Sequence, residues 1–99
     1  MKIKVNYRDY EVIEWEVHEA YAASSFGRCD TNLAEIHIDK TLAPQKRANV
    51  FLHEVMHAIW REMDLSDEDK EERIITALSN GICQVFRDNP DFYAAVRSD

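Results

Sequence analysis

The sequence predicts an α+β domain: a small antiparallel sheet of about four short strands, drawn from residues 2–39, packed on two antiparallel helices. Three observations carry this reading. Apolar residues in the front half recur at every second position, those in the back half recur every three or four, and the two prolines, Pro44 and Pro90, stand where the helices should begin and end.

Ile3, Val5 and Tyr7 alternate with polar residues, Arg8-Asp9 can turn, and β-branched and aromatic residues resume from Tyr10 to Val17, so residues 2–17 read as a hairpin. The segment His18 to Ala23 matches no template. Ser24 to Asp30 and Leu33 to Asp39 read as a second strand pair joined around Thr31-Asn32, with Ile36 and Ile38 on one face and Glu35, His37 and Asp39 on the other. Pro44 suits the first turn of a helix that the apolar stripe Leu52, Val55, Met56, Ile59 and Met63 carries from about 44 to 63. Ser66, with Glu68 and Asp69 behind it, reads as the capped, acid-rich start of a second helix of about residues 67–88. It continues through Ile75, Leu78, Ile82 and Val85 and stops near Asp88, because Asn89 precedes a proline.

Ninety-nine residues, 45% of them hydrophobic, suit one domain spanning 1–99 near the lower limit for a self-sufficient core. Nineteen acidic residues against twelve basic ones give a net charge of −7, which repels phosphate backbones and anionic lipid, so nucleic-acid and membrane partners are not expected. No run reaches membrane-spanning length and Met1 to Val5 is not a signal-peptide h-region, so the expected location is cytoplasmic. Cys29 and Cys83 are distant and unpaired in sequence and read as reduced thiols.

Chemistry concentrates in His53-Glu54-Val55-Met56-His57, an H-E-x-x-H framed by Val50-Phe51-Leu52 and Ala58-Ile59-Trp60. Residues four apart share a helix face, so His53 and His57 can meet one Zn²⁺ while Glu54 stands beside them as a base. A catalytic zinc takes three protein ligands, so a third must be found. Met63 occupies the place of the third histidine in the metzincin pattern and no glycine turn precedes it, which excludes that class. A glutamate from the following helix is the alternative. If the helices are joined near Asp64-Leu65, His57 lies as far before Met63 as Glu72 lies after Ser66, about 9 Å along each axis, which sets Glu72 level with His57. Glu71 is nearly level too, but falls in the middle of the Ile75/Leu78/Ile82 stripe, whereas Glu72 falls on its flank as the His pair does. Glu72 is therefore the expected third ligand, with Glu71 the alternative.

The run Leu52-His53-Glu54-Val55-Met56-His57-Ala58, followed by Glu72, Ile75, Leu78-Ser79, Gly81-Ile82 and Asp88-Asn89-Pro90, resembles the small zincin-like proteins of phages and prophages, which look like shortened ImmA/IrrE or SprT-like metallopeptidases. The resemblance spans roughly residues 26–91 and only its H-E-x-x-H element is strongly specific. It implies zinc ligands at His53, His57 and Glu72 of the gluzincin type, Glu54 as catalytic base, and Leu33–Asp39 as the edge strand beside which an extended peptide lies. No separate DNA-binding or regulatory domain accompanies the motif.

Together these readings point to a zinc metallopeptidase acting on a protein or peptide. The alternative is a zinc-stabilised, non-catalytic phage protein that binds a host or phage protein, its fourth ligand supplied by Cys83 or His37. His37, Tyr21, Tyr93 and Arg61 are the candidates for stabilising an oxyanion, while Phe51, Trp60 and Phe86 read as core.

Overall fold

The computed structural model describes residues 1–65 and 69–97. Strands β1 (Lys2–Val5) and β2 (Arg8–Trp15) form an antiparallel hairpin as expected, but its turn lies at Asn6-Tyr7, where Asn6 takes the left-handed φ of 57°, and not at Arg8-Asp9, which pair with Val5 and Lys4 as the start of β2. A short helix, α1 (Val17–Ala23), follows, then β3 (Gly27–Asp30) and β4 (Glu35–Asp39), helix α2 (Pro44–Glu62), helix α3 (Glu71–Asp88) and helix α4 (Pro90–Arg97). The class is α+β, as the patterning predicts.

The sheet is mixed rather than antiparallel. Its order is β1-β2-β4-β3, with β2 and β4 parallel in the register Val12 to Ile36 and Glu14 to Ile38. Helix α1 decides this, because it carries the chain away from the end of β2 and lets β3 and β4 form a hairpin that enters alongside β2 in the same direction. Residues 17–23 carry too short a pattern for periodicity to register. Their local signal is a capping box, in which the Glu16 amide donates to Glu19 Oε1 at 3.0 Å. A second consequence is that β4 lies inside the sheet, with β1 and β3 at its two edges, so Leu33–Asp39 is not the edge strand it was expected to be; the edge on that side is Gly27–Asp30.

One sheet face carries Val5, Tyr10, Val12, Ile36 and Ile38 against Ala58, with Val50, Phe51 and Val55 packed around them. The α2 stripe on the sheet is therefore Phe51, Val55 and Ala58. Ile59 and Met63 of the expected stripe are exposed. On the opposite face α1 packs across β2 and β4. That cover buries His37, stacked on Trp15 with ring centroids 5.3 Å apart, so strand alternation predicts its direction but not its burial.

The end of α2 is pinned to the sheet by Glu62, whose Oε2 accepts from Tyr10 Oη at 2.6 Å and lies 3.4 Å from Arg8 Nη1. Arg8 also donates to the carbonyls of Thr31 and Asn32, tying the β3–β4 turn to the same point. Asp64, at a φ of 60°, ends the helix. The link to α3 runs on to Lys70 rather than closing at Asp64-Leu65, so Asp69 stands in the turn and the acidic first turn consists of Glu71 and Glu72. The predicted cap Ser66, and Glu68 with it, lie outside the described residues. Contacts ascend α3 as they descend α2: His57 to Glu71, Asn49 to Asn80, and Cys83 to the Ala48 carbonyl. Beyond Asn89, Pro90 opens α4 instead of a tail, and Phe92 and Tyr93 close on Phe86 at 6.0 and 5.1 Å between centroids. Among the described residues no helix is long and apolar enough to cross a membrane.

Candidate metal centre

His53 and His57 stand one turn apart on α2 with ring centroids 5.0 Å apart, each about four-fifths buried, and both turn toward the start of α3. Glu72 meets them with both oxygens: Oε1 lies 2.6 Å from His53 Nε2 and Oε2 lies 3.0 Å from His57 Nε2. One ligand atom from each of the three residues falls within 4.8 Å of the others. Tetrahedral zinc ligands at about 2.0–2.1 Å from the ion stand about 3.3 Å from one another. The donor set is thus compact enough to converge on a single small cation.

Glu71 occupies a different place. Its Oε2 lies 2.6 Å from His57 Nδ1, the other nitrogen of the ring. A neutral imidazole carries one N–H, and donating it from Nδ1 to Glu71 leaves the Nε2 lone pair facing Glu72. A lone pair opposed to a carboxylate at 3.0 Å is repulsive unless a cation or a proton lies between them. Among the described residues no lysine or arginine forms an ion pair with Glu54, Glu71 or Glu72, so this negative charge has no fixed counter-charge. The chemistry of the group suits a divalent metal.

Glu54 points from the same helix turn toward β3 and is 8% exposed. Burial pushes its carboxyl up to about 7, with His57 pulling it down and Glu72 pushing it further up. Its place depends on Gly27. A β-carbon on that residue would stand 2.8 Å from Val50 Cγ1, 2.9 Å from the His37 carbonyl oxygen and 3.3 Å from Glu54 Cγ, so only glycine lets the edge strand approach α2 here. Sequence reasoning gave Gly27 no role. The signal was its rarity, as one of two glycines in the chain.

The group opens into a cleft of about 520 Å³ between β3, through Gly27, Arg28 and Cys29, and the two helices. Burial, then the charge of Glu54, pushes the Cys29 thiol up to about 12, which keeps it protonated. Trp60, expected in the core, lines the cleft instead, and Arg61 lies beside it, one turn beyond His57. The other candidates are elsewhere. His37 is on the far face of the sheet, Tyr21 is 83% exposed on α1, Tyr93 packs on Phe86, and Cys83 faces the α2 backbone. Neither His37 nor Cys83 joins the His53/His57/Glu72 group, so neither closes a fourth position there. Both cysteines are free thiols.

Comparison with protein-family models, with curated proteins and with solved structures finds no match to this chain. The functional reading accordingly rests on the geometry of the site.

Proposed function

We propose that the chain is a zinc-dependent peptidase whose metal is held by His53, His57 and Glu72 and whose general base is Glu54. The observation that carries the reading is the convergence of three donor atoms within 4.8 Å beside a buried carboxylate that is not one of them. A structural site has no need of that carboxylate, whereas hydrolysis does. Zn²⁺ bound there supplies Lewis-acid activation of water and of the scissile carbonyl. Glu54, held near neutrality by burial, is suited to take a proton from the attacking water and return it to the leaving amine. Glu71 fixes the His57 ring by accepting from Nδ1. The substrate is an extended peptide pairing with the free edge of β3, whose backbone borders the cleft at Gly27 and Cys29. Arg61 is a cationic side chain of the cleft, of a chemistry suited to an oxyanion or a substrate carboxylate.

Two measurements test this. Native mass spectrometry after zinc reconstitution should find close to one Zn²⁺ per chain, lost in His57→Ala; no bound metal in the wild type would end the reading. Glu54→Gln should retain zinc and fold while losing the new peptide termini that wild type generates in a denatured proteome. Identical termini from the two proteins would favour the alternative of a zinc-stabilised binding protein without turnover, the reading that the small size of the domain favours.

A further inference from the structure

Gly81 is not accounted for by anything among the described residues. It stands in the middle of α3, where glycine is the least favourable residue after proline, and a β-carbon built on it meets no atom within 4 Å. Gly27 is compelled by close contacts on three sides; Gly81 has open space. That space is the floor of an apolar groove of about 460 Å³ between α3 and α4, walled by Leu78, Ile82, Val85, Phe92 and Val96. The walls face solvent: Leu78 is 50% exposed, Phe92 52% and Val96 57%.

The groove follows a pattern. Leu78, Gly81 and Val85 of the groove, extended by the half-buried Ile74 one turn before it, recur at spacings of four, three and four, the repeat of a helix seam that packs on another helix. This stripe is distinct from the Ile75 and Ser79 positions, which are buried in the body of the protein. Helix α3 therefore has two apolar faces and the described chain covers one of them.

We propose that a second copy of this chain covers the other, the two α3 helices crossing antiparallel about a two-fold axis between Leu78 and Gly81. The spacing is self-complementary under that symmetry. Each Leu78 seats over Gly81 of the other copy, a large side chain against the missing one, and each Ile74 meets Val85. The rim agrees. Arg73 comes within about one helical turn of Asp88 of the other copy, and Asp88 is held in place by Gln84 Nε2 at 3.0 Å. Phe92 and Val96 from both α4 helices complete a four-helix bundle. Glu71 and Glu72 contact α2 on another face of α3, so pairing leaves the cleft open. This inference does not depend on the metal centre.

Sedimentation equilibrium of the full chain from micromolar to sub-millimolar concentration tests it. Wild type should approach twice the chain mass of 11.6 kDa. Gly81→Gln, whose side chain has room in the isolated chain, should keep its helix content by circular dichroism while the dimer dissociation constant rises at least about tenfold. Leu78→Glu should do the same. Arg73→Asp should weaken the dimer, and the double variant Arg73→Asp/Asp88→Arg should restore it. A wild type at the chain mass throughout overturns the proposal, including where a different protein is found to occupy the groove. So does an undiminished Gly81→Gln dimer, and failure of the double variant to recover overturns the antiparallel register.

Discussion

Glu71 and His57 meet at 2.6 Å through Nδ1, the ring nitrogen turned away from the proposed metal position, so the two adjacent glutamates at the head of α3 serve the same histidine from different sides. Glu72 is placed to touch the metal and Glu71 to hold the imidazole that does. Glu72→Ala should therefore weaken zinc binding more than Glu71→Ala, and the latter should still cost about 10- to 100-fold in affinity. Competition against a chromophoric chelator gives both numbers. If the order were reversed, the assignment of the two residues would be exchanged.

Gly27→Ala should be costly out of proportion to one methyl group. Two of its close neighbours are the His37 carbonyl and Val50, neither of which is a flexible chain end, so β3 must shift away from α2. Overpacking of this kind costs about 1–3 kcal/mol, which in a domain of this size lowers the thermal midpoint by about 4–8 °C per kcal/mol. An unchanged midpoint would mean that strand and helix are not in the close contact described.

Tyr10→Phe should destabilise by about 1–2 kcal/mol, because Tyr10 is fully buried and its hydroxyl donates to the carboxylate of Glu62. Urea denaturation should show a lower midpoint with an unchanged slope. Glu62→Gln should lose less, since an amide oxygen still accepts from the tyrosine.

Asp39 gives the protein an acid-side dependence. Its carboxylate accepts from the Thr41 hydroxyl and amide at 2.7 and 2.8 Å, and those bonds, the hydroxyl first, hold it below the usual aspartate range. A depressed folded-state value means that the contribution is complete above the unfolded pKa of about 3.9 and fades as pH falls through the folded one. The stability difference between wild type and Asp39→Asn should be constant from neutral pH down to about 5 and shrink below about 4. A difference that grew on acidification would contradict the hydrogen bonds assigned to Asp39.

Local spacing made the helical half of the site legible. An i, i+4 histidine pair lies on one face of any α-helix, so His53 and His57 stand one turn apart on α2 whatever surrounds them. Counting rise along two helices named Glu72, but on a premise the fold does not keep: α3 begins at Glu71, so Glu72 stands in the first turn of its helix rather than six residues into it, and it is the approach of that helix start to His57 that brings it beside the pair. Non-local packing decided the rest. Residues 17–23 gave no periodic signal, yet as α1 they make β2 and β4 parallel, move the free edge from β4 to β3, and bury His37 on the far side of the sheet. Periodicity reports which side of an element is apolar, not which element will cover it, and for that reason it assigned Leu78 to the core and Trp60 away from the cleft. The burial of Glu54 is of the same kind. Its proton affinity is set by a strand from another part of the chain, and that strand comes near enough only because Gly27 has no side chain.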